Sequence, residues 1–452
     1  MKREHLILRW KSLRDAIDGW AFGPRLTPAT RLREILTTIA LVAIGAVISF
    51  VRIPPPARNL LWAEDASVFV GSALEHRPDA ALFEPYAGYM HAFPRLITAL
   101  TVSLVPLDVV PVVLTAAACV LTAVIATAAV LALRSRVPSF AIRLVVWAGI
   151  VTLPVAGIEA NGSVANSHWY LLVGLFVVLI TRRQDSGYLI LAGLIVAFAV
   201  LSDPLSIVFV PLVIARFLSL RGLRDLWIPA IYCAALVVQL TVVLSTSVAS
   251  AAGHPTLVQA LRTTGFRVFL AALAGESGSV SLYLDFHAKA IALATFVVAL
   301  LVVVALVRGR QLGGLALIST VAGTAFFLGA AVIRWNEQYD PFISTTWGGS
   351  RYSVVPICLL LFAFAATAST WYSAGWRVSW VRFVAPVAFA ALVVALAIPA
   401  FTVTARHATT SWDSELRGAR STCATSGDAH VVKLYGAPHN FYLTATCAEL
   451  GY

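Results

Sequence analysis

Two adjacent carboxylates, Glu64 and Asp65, follow the first long apolar run of the chain in the segment LLWAEDASVF. Neighbouring carboxylates repel each other beside a low-dielectric surface, so such a pair suggests a cation to bind or a proton to remove. We favour Asp65 as a general base for a hydroxyl group, because a helix predicted to start there would orient it and keep it ionised. Glu64 would then be its partner or a metal ligand. The alternative is that Asp65 only caps that helix.

The same loop continues as EPYAGYMHAFPRLITAL, an amphipathic stretch that returns toward the membrane. Its Tyr89 and His91 are candidates for sugar or acceptor binding, as is Tyr352 much later in the chain. The simpler interpretation of Tyr89 is an interfacial helix with its tyrosines at headgroup depth. Arg95 lies at the membrane end of the stretch, where positive charge is disfavoured. It is therefore predicted to pair with the two carboxylates or to bind a phosphate.

A third segment, IEANGSVANSHWYLL, places polar and aromatic residues between two apolar runs. These residues are Glu159, Asn161, Asn166, His168 and Trp169. Amide groups suit sugar hydroxyls, and an aromatic ring suits the C–H face of a sugar. The five residues are therefore candidates for sugar or acceptor binding. Helix caps and an interfacial tryptophan are the alternative.

Arginines open and close a fourth segment, RWNEQYDPFISTTWGGSRYSVVP, at Arg334 and Arg351. A planar guanidinium group binds phosphate oxygens through two parallel N–H bonds, and the phosphate of a membrane lipid would lie at this depth. Both arginines are therefore candidates for binding a lipid phosphate, unless they form ion pairs with Glu337 or Asp340. Lys289, in YLDFHAKA, is a further phosphate candidate.

The elements that must position these residues are membrane-spanning helices. The chain has 452 residues, 59% of them hydrophobic and only 12% charged, and its mean hydropathy is +0.85. A helix that spans a bilayer needs about 20 mostly apolar residues. The predicted fold class is an all-α polytopic membrane protein of about eleven spans, with amphipathic helices in the first external loop. The spans are 35–53, 109–133, 142–157, 168–181, 188–202, 205–218, 226–246, 288–307, 313–333, 353–370 and 384–402.

The segments between these spans differ in their content of positive charge. The N-terminal segment 1–34 and the loop after every second span are rich in arginine, which predicts that they face the cytoplasm. Eleven spans then place the C-terminus outside a cell membrane, with the transmembrane domain over 35–402 and the tail over 403–452. The long external loops include 54–108 and 247–287. The net charge of +11 is explained by this topology, so no nucleic-acid partner is implied.

The cysteines fall into two groups. Cys423 and Cys447 lie in the polar C-terminal tail, and two cysteines in a short external tail predict a disulfide. Cys119, Cys233 and Cys358 lie inside apolar runs and are interpreted as small buried hydrophobes.

Several of these segments resemble the GT-C superfamily of integral-membrane glycosyltransferases. The resemblance rests on the acidic pair, on GYMHAFPRL, on NSHWYLL at the start of a span and on GGSRYSVVP at the entry of a later one. It extends to about residue 402. The Ala-, Val- and Arg-rich composition with few lysines looks actinobacterial. Many members have a large C-terminal external domain, whereas this tail has about fifty residues, which suggests a short lipid-linked or surface-chain acceptor.

The resemblance implies a polyprenyl-phosphate sugar donor and a carboxylate that acts on the acceptor or on a metal. In this chain it makes Asp65 or Glu64 the catalytic group, and Arg351 and Arg95 contacts of the donor phosphate. The expected function is inverting transfer of a sugar to a cell-envelope glycan or lipid acceptor on the outer face. Mg²⁺ or Mn²⁺ is the cofactor that the acidic pair would suit. The alternatives are a transporter or flippase of lipid-linked sugars, and a non-catalytic envelope-assembly partner.

Overall fold

Apolar helices packed side by side form most of the molecule, and a two-stranded sheet lies near the C-terminus. The computed structural model describes residues 11–12, 14–22, 24, 31–76, 78–157, 159–183, 185–246, 253–335, 340, 348–373, 380–402 and 411–451.

The α-helices of this described part are α1 (Arg31–Val51), α2 (Pro55–Arg58), α3 (Gly71–Glu75), α4 (Pro78–Ala81), α5 (Ala92–Leu104), α6 (Val110–Leu133), α7 (Phe140–Val151), α8 (His168–Ile180), α9 (Ser186–Ser202), α10 (Val210–Leu218), α11 (Leu223–Ser245), α12 (Leu257–Thr264), α13 (Ala271–Phe286), α14 (Ala288–Arg308), α15 (Arg310–Ile333), α16 (Val354–Ser373), α17 (Val384–Ala397), α18 (Pro399–Thr402) and α19 (Trp412–Cys423). Short 3₁₀ turns lie at Pro154–Ala156, Ala165–Ser167, Pro204–Phe209, Ser350–Ser353 and Val381–Phe383. π-Helical turns lie at Asp18–Phe22, Asp65–Val70 and Gly265–Leu270. The strands β1 (Val431–Tyr435) and β2 (Tyr442–Thr446) pair antiparallel.

Seven helical segments of the described chain are long and apolar enough to cross a membrane. They are Leu32–Val51, Val110–Leu133, Leu223–Ser245, Leu257–Phe286, Ala288–Arg308, Arg310–Ile333 and Ser350–Ser373. The remaining apolar helices are shorter than 18 residues. Each of the eleven predicted spans coincides with one of the long helical segments or with one of these shorter helices. The chain is therefore a multi-pass helical membrane protein of the predicted all-α class. The segment 54–108, predicted to be an external loop with amphipathic helices, contains the short helices α2 to α5.

Two helices form the centre of the bundle. Every residue of α8 is buried, and so is nearly all of the segment Ser350–Ser373. Their side chains meet directly, since the rings of Phe176 and Phe362 stack at 5.7 Å between centroids. A helix that is apolar all round is a core helix. By contrast, α1, α11 and α14 expose large apolar side chains, which suits contact with lipid.

Arginines from the predicted inner loops gather at one end of this bundle. Arg182 Nη2 lies 2.7 Å from Asp18 Oδ1, and Arg221 Nε donates to Asp18 Oδ2 at 2.9 Å. Arg216 Nε donates to the carbonyl of Leu179 at 2.8 Å, near the end of α8. The first residue of α8 lies about 18 Å away along the helix axis. The basic cluster and the start of α8 are thus at opposite ends of the bundle.

The segment 247–287, predicted to be a loop between two spans, is helical over most of its length. The structure has α12, a π-helical turn and α13 there, continuous over Leu257–Phe286 except at Gly275. Gly275 has a φ of +69°, a conformation that glycine adopts at little cost. The charged and polar residues of the segment lower its mean hydropathy to 1.2. The sequence pattern therefore resembled a loop more than a helix.

The C-terminal tail packs on the segment between α1 and α6. Trp412 of α19 is fully buried, and Ala437, after β1, forms a parallel bridge with Trp62. Cys423 and Cys447 face each other with their Cα atoms 5.4 Å apart, a separation typical of disulfide-bonded cysteines. The tail is therefore a small cap that contacts the loop carrying the two carboxylates.

Candidate functional site

One cavity in the described part of the chain brings most of the candidate residues together. It has a volume of about 240 Å³ and lies where both central helices begin. The candidates that line it are Glu64, Tyr89, His91, Asn166, His168, Trp169, Arg334, Arg351 and Tyr352. The rest of its wall consists of Phe69, Tyr86, Ala87, Ala165, Asp203, Pro204, Leu205 and Ile333. Segments far apart in sequence therefore converge on one site.

A tight turn presents Glu64 to this cavity. Ala63 has a φ of +49°, a left-handed conformation that a non-glycine residue keeps only when its surroundings hold it. Backbone hydrogen bonds to the tail stabilise this conformation. The N–H of Ala63 donates to the carbonyl of Ala437 (2.7 Å), and the N–H of Ala437 donates to the carbonyl of Leu61 (2.9 Å). Glu64 is half-buried, and its Oε1 lies 4.0 Å from Nη1 of Arg351. The carboxylate therefore faces a guanidinium group.

Asp65 is buried beside the cavity and does not line it. Its Oδ1 accepts a hydrogen bond from the backbone N–H of Ala165 at 2.6 Å, which ties the first external loop to the segment before α8. The π-helical turn Asp65–Val70 has no side-chain cap, so the capping interpretation of Asp65 is wrong. Glu64, which lines the cavity, is therefore the carboxylate of the pair that a ligand can reach.

Glu159 holds the turn that carries Arg351. Its Oε2 accepts from the backbone N–H of Arg351 at 3.2 Å, and its Oε1 accepts from Gly349 N–H at 3.3 Å. Gly349 has a φ of +73°, which favours glycine. On the other side of the turn, Arg267 Nη1 donates to the carbonyl of Gly348 at 3.3 Å. Glu159 is not a wall residue, so it positions Arg351 and does not reach a sugar in the cavity.

Arg334 stands just after α15 and anchors another part of the wall. Its Nη2 donates to the carbonyl of Ala87 at 3.0 Å. Asp340, the alternative partner expected from the sequence, instead binds Arg262, whose Nη2 lies 2.6 Å from Asp340 Oδ1. Glu337 lies outside the described residues. The cavity wall therefore carries two guanidinium groups, which can bind an anionic ligand.

Three predicted binding residues lie elsewhere. Arg95 is buried and pairs with Glu84 at 3.3 Å, so its predicted pairing with the two adjacent carboxylates is wrong. The amide of Asn161 is used within the fold, since its Nδ2 donates to Ser49 O (3.0 Å) and its Oδ1 accepts from Ser49 Oγ (2.6 Å). Lys289 is exposed at the start of α14 and does not line the cavity.

Aromatic rings form two faces of the cavity. Tyr89 and His91 stack with their ring centroids 4.2 Å apart. Trp169 meets Tyr352 edge to face at 5.2 Å, and its Nε1 donates to Asn166 Oδ1 at 3.2 Å, which fixes the indole. Flat rings with polar edges are suited to the C–H faces and hydroxyls of a sugar.

Burial controls the ionisation of the loop residues in the wall. Burial, and then the nearby His168, lower the pKa of His91 well below its ordinary value, so its ring is neutral at neutral pH. Burial, and then the charge of Glu64, raise the pKa of Tyr86, which remains a neutral hydroxyl. The charges that face a ligand therefore come mainly from the two arginines and from Glu64.

Asp203 is a wall residue that the sequence analysis missed. It separates α9 from the 3₁₀ turn Pro204–Phe209, and from sequence the Asp-Pro pair predicts only a turn or a kink. The available signal was a carboxylate at the end of an apolar span, on the side where the external loops were predicted. Burial raises the pKa of Asp203 to about 7, so this carboxyl group can exchange a proton near neutral pH.

The residues around the acidic pair do not fit a divalent cation held by the protein alone. Within the described ranges, no group of three or more His, Cys, Asp or Glu side chains is close enough to hold a metal ion. Glu64 faces Arg351, and the Asp65 carboxylate accepts a backbone N–H. The reaction proposed below therefore uses no metal ion.

Comparison with known proteins does not add an identification. No protein-family model matches the chain, and no curated protein or solved structure is significantly similar to it. The case for a function therefore depends on the geometry and chemistry of the cavity itself.

Proposed function

We propose that this chain is a glycosyltransferase that moves a sugar from a polyprenyl-phosphate donor to a hydroxyl group of a cell-envelope glycan or lipid. One observation carries the proposal. Two guanidinium groups, a carboxylate and two aromatic faces converge in a single cavity at one end of a membrane bundle. A phosphate, a nucleophilic hydroxyl and a sugar ring need these groups. The resemblance of the sequence to the GT-C superfamily agrees with this reaction.

The donor phosphate is assigned to Arg351 and Arg334. Both line the cavity, and their N–H groups can stabilise the charge that develops on a leaving phosphate. Ile333, next to Arg334, lines the cavity and is also 56% exposed at the end of an apolar helix. This wall is therefore open toward the lipid, which would let a polyprenyl chain remain in the bilayer while its phosphate enters the site.

Glu64 is assigned to the acceptor. A sugar hydroxyl is a poor nucleophile at neutral pH, and a carboxylate that removes its proton makes it reactive. The acceptor oxygen attacks the anomeric carbon as the bond to the phosphate oxygen breaks. One carboxylate in this position favours a single displacement, so the product has the inverted anomeric configuration.

Direct assay of transfer tests this proposal. Membranes that contain the full chain would receive a panel of radiolabelled polyprenyl-phosphate hexoses and pentoses, and membranes with Glu64→Gln would be the control. We expect label in a glycan or lipid product with the wild type only. Movement of the intact labelled donor across the bilayer without a new glycosidic bond would instead support the transporter alternative.

We infer eleven crossings, with the N-terminus in the cytoplasm and the cavity and tail outside. The helices over Leu257–Phe286 add no crossing in this arrangement. Arg262 pairs with Asp340, and Arg267 donates to Gly348, so the first of these helices stays at the cavity end. The basic cluster at the opposite end then faces the cytoplasm, as positive charge prefers.

Reporter fusions check this orientation. A phosphatase that folds only outside the cytoplasm should be active when fused after residue 452, and a reporter that works only in the cytoplasm should be silent there. A fusion in the loop between Arg308 and Arg310 should give the reverse pattern. An active cytoplasmic reporter at the C-terminus would contradict the placement of the cavity on the outer face.

The tail is predicted to be closed by a disulfide between Cys423 and Cys447. The two residues are separated by 24 positions in the sequence, and closing a loop of that size contributes roughly 3 kcal/mol in the chain-entropy model. Mass spectrometry of peptides from the non-reduced protein should find the two cysteines linked. Free thiols at both positions would indicate a reducing compartment and hence a tail in the cytoplasm.

A further inference from the structure

Asp203 and His168 form a buried acid–imidazole pair in the cavity wall. His168 Nε2 lies 3.4 Å from Asp203 Oδ2, and the two residues are only 4% and 2% exposed. They come from different elements, since His168 opens α8 and Asp203 follows α9. Both line the cavity, so the pair is within reach of a bound ligand.

The atoms around the pair favour a protonated carboxyl group. His168 Nδ1 lies 2.7 Å from the carbonyl oxygen of Ala165, and because a carbonyl can only accept, Nδ1 carries a hydrogen. In the neutral ring Nε2 is then unprotonated. It faces Asp203 Oδ2, while Asp203 Oδ1 accepts from the N–H of Leu205 at 2.8 Å. Two unprotonated acceptors facing each other in a buried site would be unfavourable, so a protonated carboxyl group of Asp203, directed at Nε2 across 3.4 Å, is the favoured state.

Charged neighbours decide in which direction this proton can move. Arg334 acts electrostatically on the carboxyl group of the pair, and Arg351 acts on its imidazole. The other ionisable neighbours are Tyr89, which is half-buried, and His91, which is buried, and both are uncharged at neutral pH. Two nearby guanidinium groups disfavour a second proton and stabilise the negative charge left when the first one departs. The pair is therefore suited to give a proton and not to accept one.

This second inference depends on the proposed sugar transfer: we propose that the Asp203–His168 pair is the general acid, which protonates the phosphate oxygen that leaves the sugar. The two arginines assigned to the phosphate, Arg334 and Arg351, also act on the pair, so the group that gives this proton and the oxygen that takes it lie on the same wall. Cleavage gives the lipid phosphate a second negative charge, which is unfavourable in a cavity with apolar walls. The proton removes that charge.

A strong acid is not required at this position. Burial raises the pKa of Asp203 to about 7, and the second pKa of a phosphate monoester is about 6. The two values are close enough that the proton can be shared with the leaving oxygen as the bond breaks. A carboxyl group with an ordinary pKa would already have lost its proton at neutral pH.

The step balances in atoms and charge. The acceptor oxygen forms a bond to the anomeric carbon, and the bond from that carbon to the phosphate oxygen breaks with its electron pair. Glu64 takes the proton of the acceptor hydroxyl, and the pair protonates the leaving oxygen. The proton on Glu64 then returns to the pair, directly or through water. No further co-reactant enters the step.

The first test is the pH dependence of sugar transfer in Asp203→Asn. Its amide can still donate to Nε2 of His168 but cannot release a proton. In the wild type the protonated pair is present below about pH 7 and is lost above it, so kcat falls as the pH rises. We expect Asp203→Asn to lower kcat about 100-fold, to leave the KM for the donor nearly unchanged and to abolish this alkaline decline.

Two further variants complete the series. His168→Gln removes the imidazole and keeps a polar side chain, and it should also lower kcat and abolish the alkaline decline. Asp285→Asn is the matched control, because Asp285 is exposed and does not line the cavity. We expect its kcat and pH profile to equal those of the wild type.

Infrared spectroscopy of the purified full chain gives a readout that does not need turnover. The difference between wild type and Asp203→Asn at about pH 6 should contain the C=O stretch of a protonated carboxyl group, and the band should vanish at about pH 9. If Asp203→Asn does not fold, two other measurements test the proposal: the pH titration of this band in the wild type, and the kinetics of His168→Gln.

The outcomes separate the two proposals. Lack of this band, or an unchanged kcat and alkaline decline in Asp203→Asn, would overturn the general-acid role and leave sugar transfer intact. Lack of transfer by the wild type with every polyprenyl-phosphate sugar in the panel would overturn both.

Discussion

Replacing Glu64 with glutamine is expected to lower sugar transfer by about 100- to 10,000-fold, the contribution of a positioned general base. The amide keeps the size of the side chain but cannot take a proton at neutral pH. Glu64 is the member of the acidic pair that lines the cavity, and it faces Arg351 at 4.0 Å. The measurement is the rate at which label moves from a polyprenyl-phosphate sugar to the acceptor, in membranes with equal amounts of each protein.

The neighbouring variant Asp65→Asn is the matched comparison. The amide oxygen of asparagine can still accept the N–H of Ala165, which Asp65 Oδ1 now accepts at 2.6 Å, so the two loops should stay joined. We expect transfer close to that of the wild type. Loss of transfer in Asp65→Asn with normal rates in Glu64→Gln would return the role of base to Asp65. Normal rates in both variants would remove the acidic pair from catalysis.

Arg351→Lys is expected to raise the KM for the donor about 10- to 100-fold, which corresponds to the ~1.5–3 kcal/mol of one hydrogen bond to a charged group. Lysine keeps the positive charge but lacks the planar fork that binds two phosphate oxygens. The Glu159 carboxylate binds the backbone N–H of Arg351, so the turn should survive the change of side chain. Steady-state kinetics with increasing donor concentration, together with the yield in the membrane, separate binding from folding.

Arg420→Lys is the control for this substitution. Arg420 belongs to α19 of the tail and pairs with Asp108 at 2.9 Å, away from the cavity wall. Its KM should equal that of the wild type, because an exposed ion pair contributes little. An unchanged KM in Arg351→Lys as well would take Arg351 out of the phosphate site and leave Arg334 as the residue to test.

The helices could be predicted from the sequence where an apolar run was uninterrupted. They could not be predicted where a helix contains charged residues that bind partners inside the fold. All eleven apolar runs became helices, because a bilayer leaves the backbone few other ways to satisfy its hydrogen bonds. The segment Leu257–Phe286 was missed because it contains Arg262, Arg267 and the non-helical Gly275. Those arginines bind Asp340 and Gly348, partners that no local pattern reveals.

The candidate site was predictable by residue type but not by residue role. Polar and aromatic residues at the predicted outer ends of apolar spans were singled out from the sequence, and most of them line one cavity. Glu159 and Asn161 have the same composition signal, yet their side chains hold the turn of Arg351 and the end of α1. Asp203 is marked in the sequence only by an Asp-Pro pair at the end of an apolar span, yet it lines the cavity. Binding to the fold and binding to a ligand use the same chemical groups, so sequence alone does not distinguish them.

The sequence by itself determined the membrane class, the helical architecture and the separation of a basic end from an end rich in candidate site residues. These follow from composition and from the order of apolar and charged runs, which act locally along the chain. Only the tertiary structure decided which of two adjacent carboxylates reaches the cavity. Ala63 is held at a φ of +49° by Ala437, a residue of the distant tail, and that turn puts Glu64 on the wall and Asp65 against Ala165. The direction of a side chain depends on such long-range backbone contacts, and a linear pattern does not contain them.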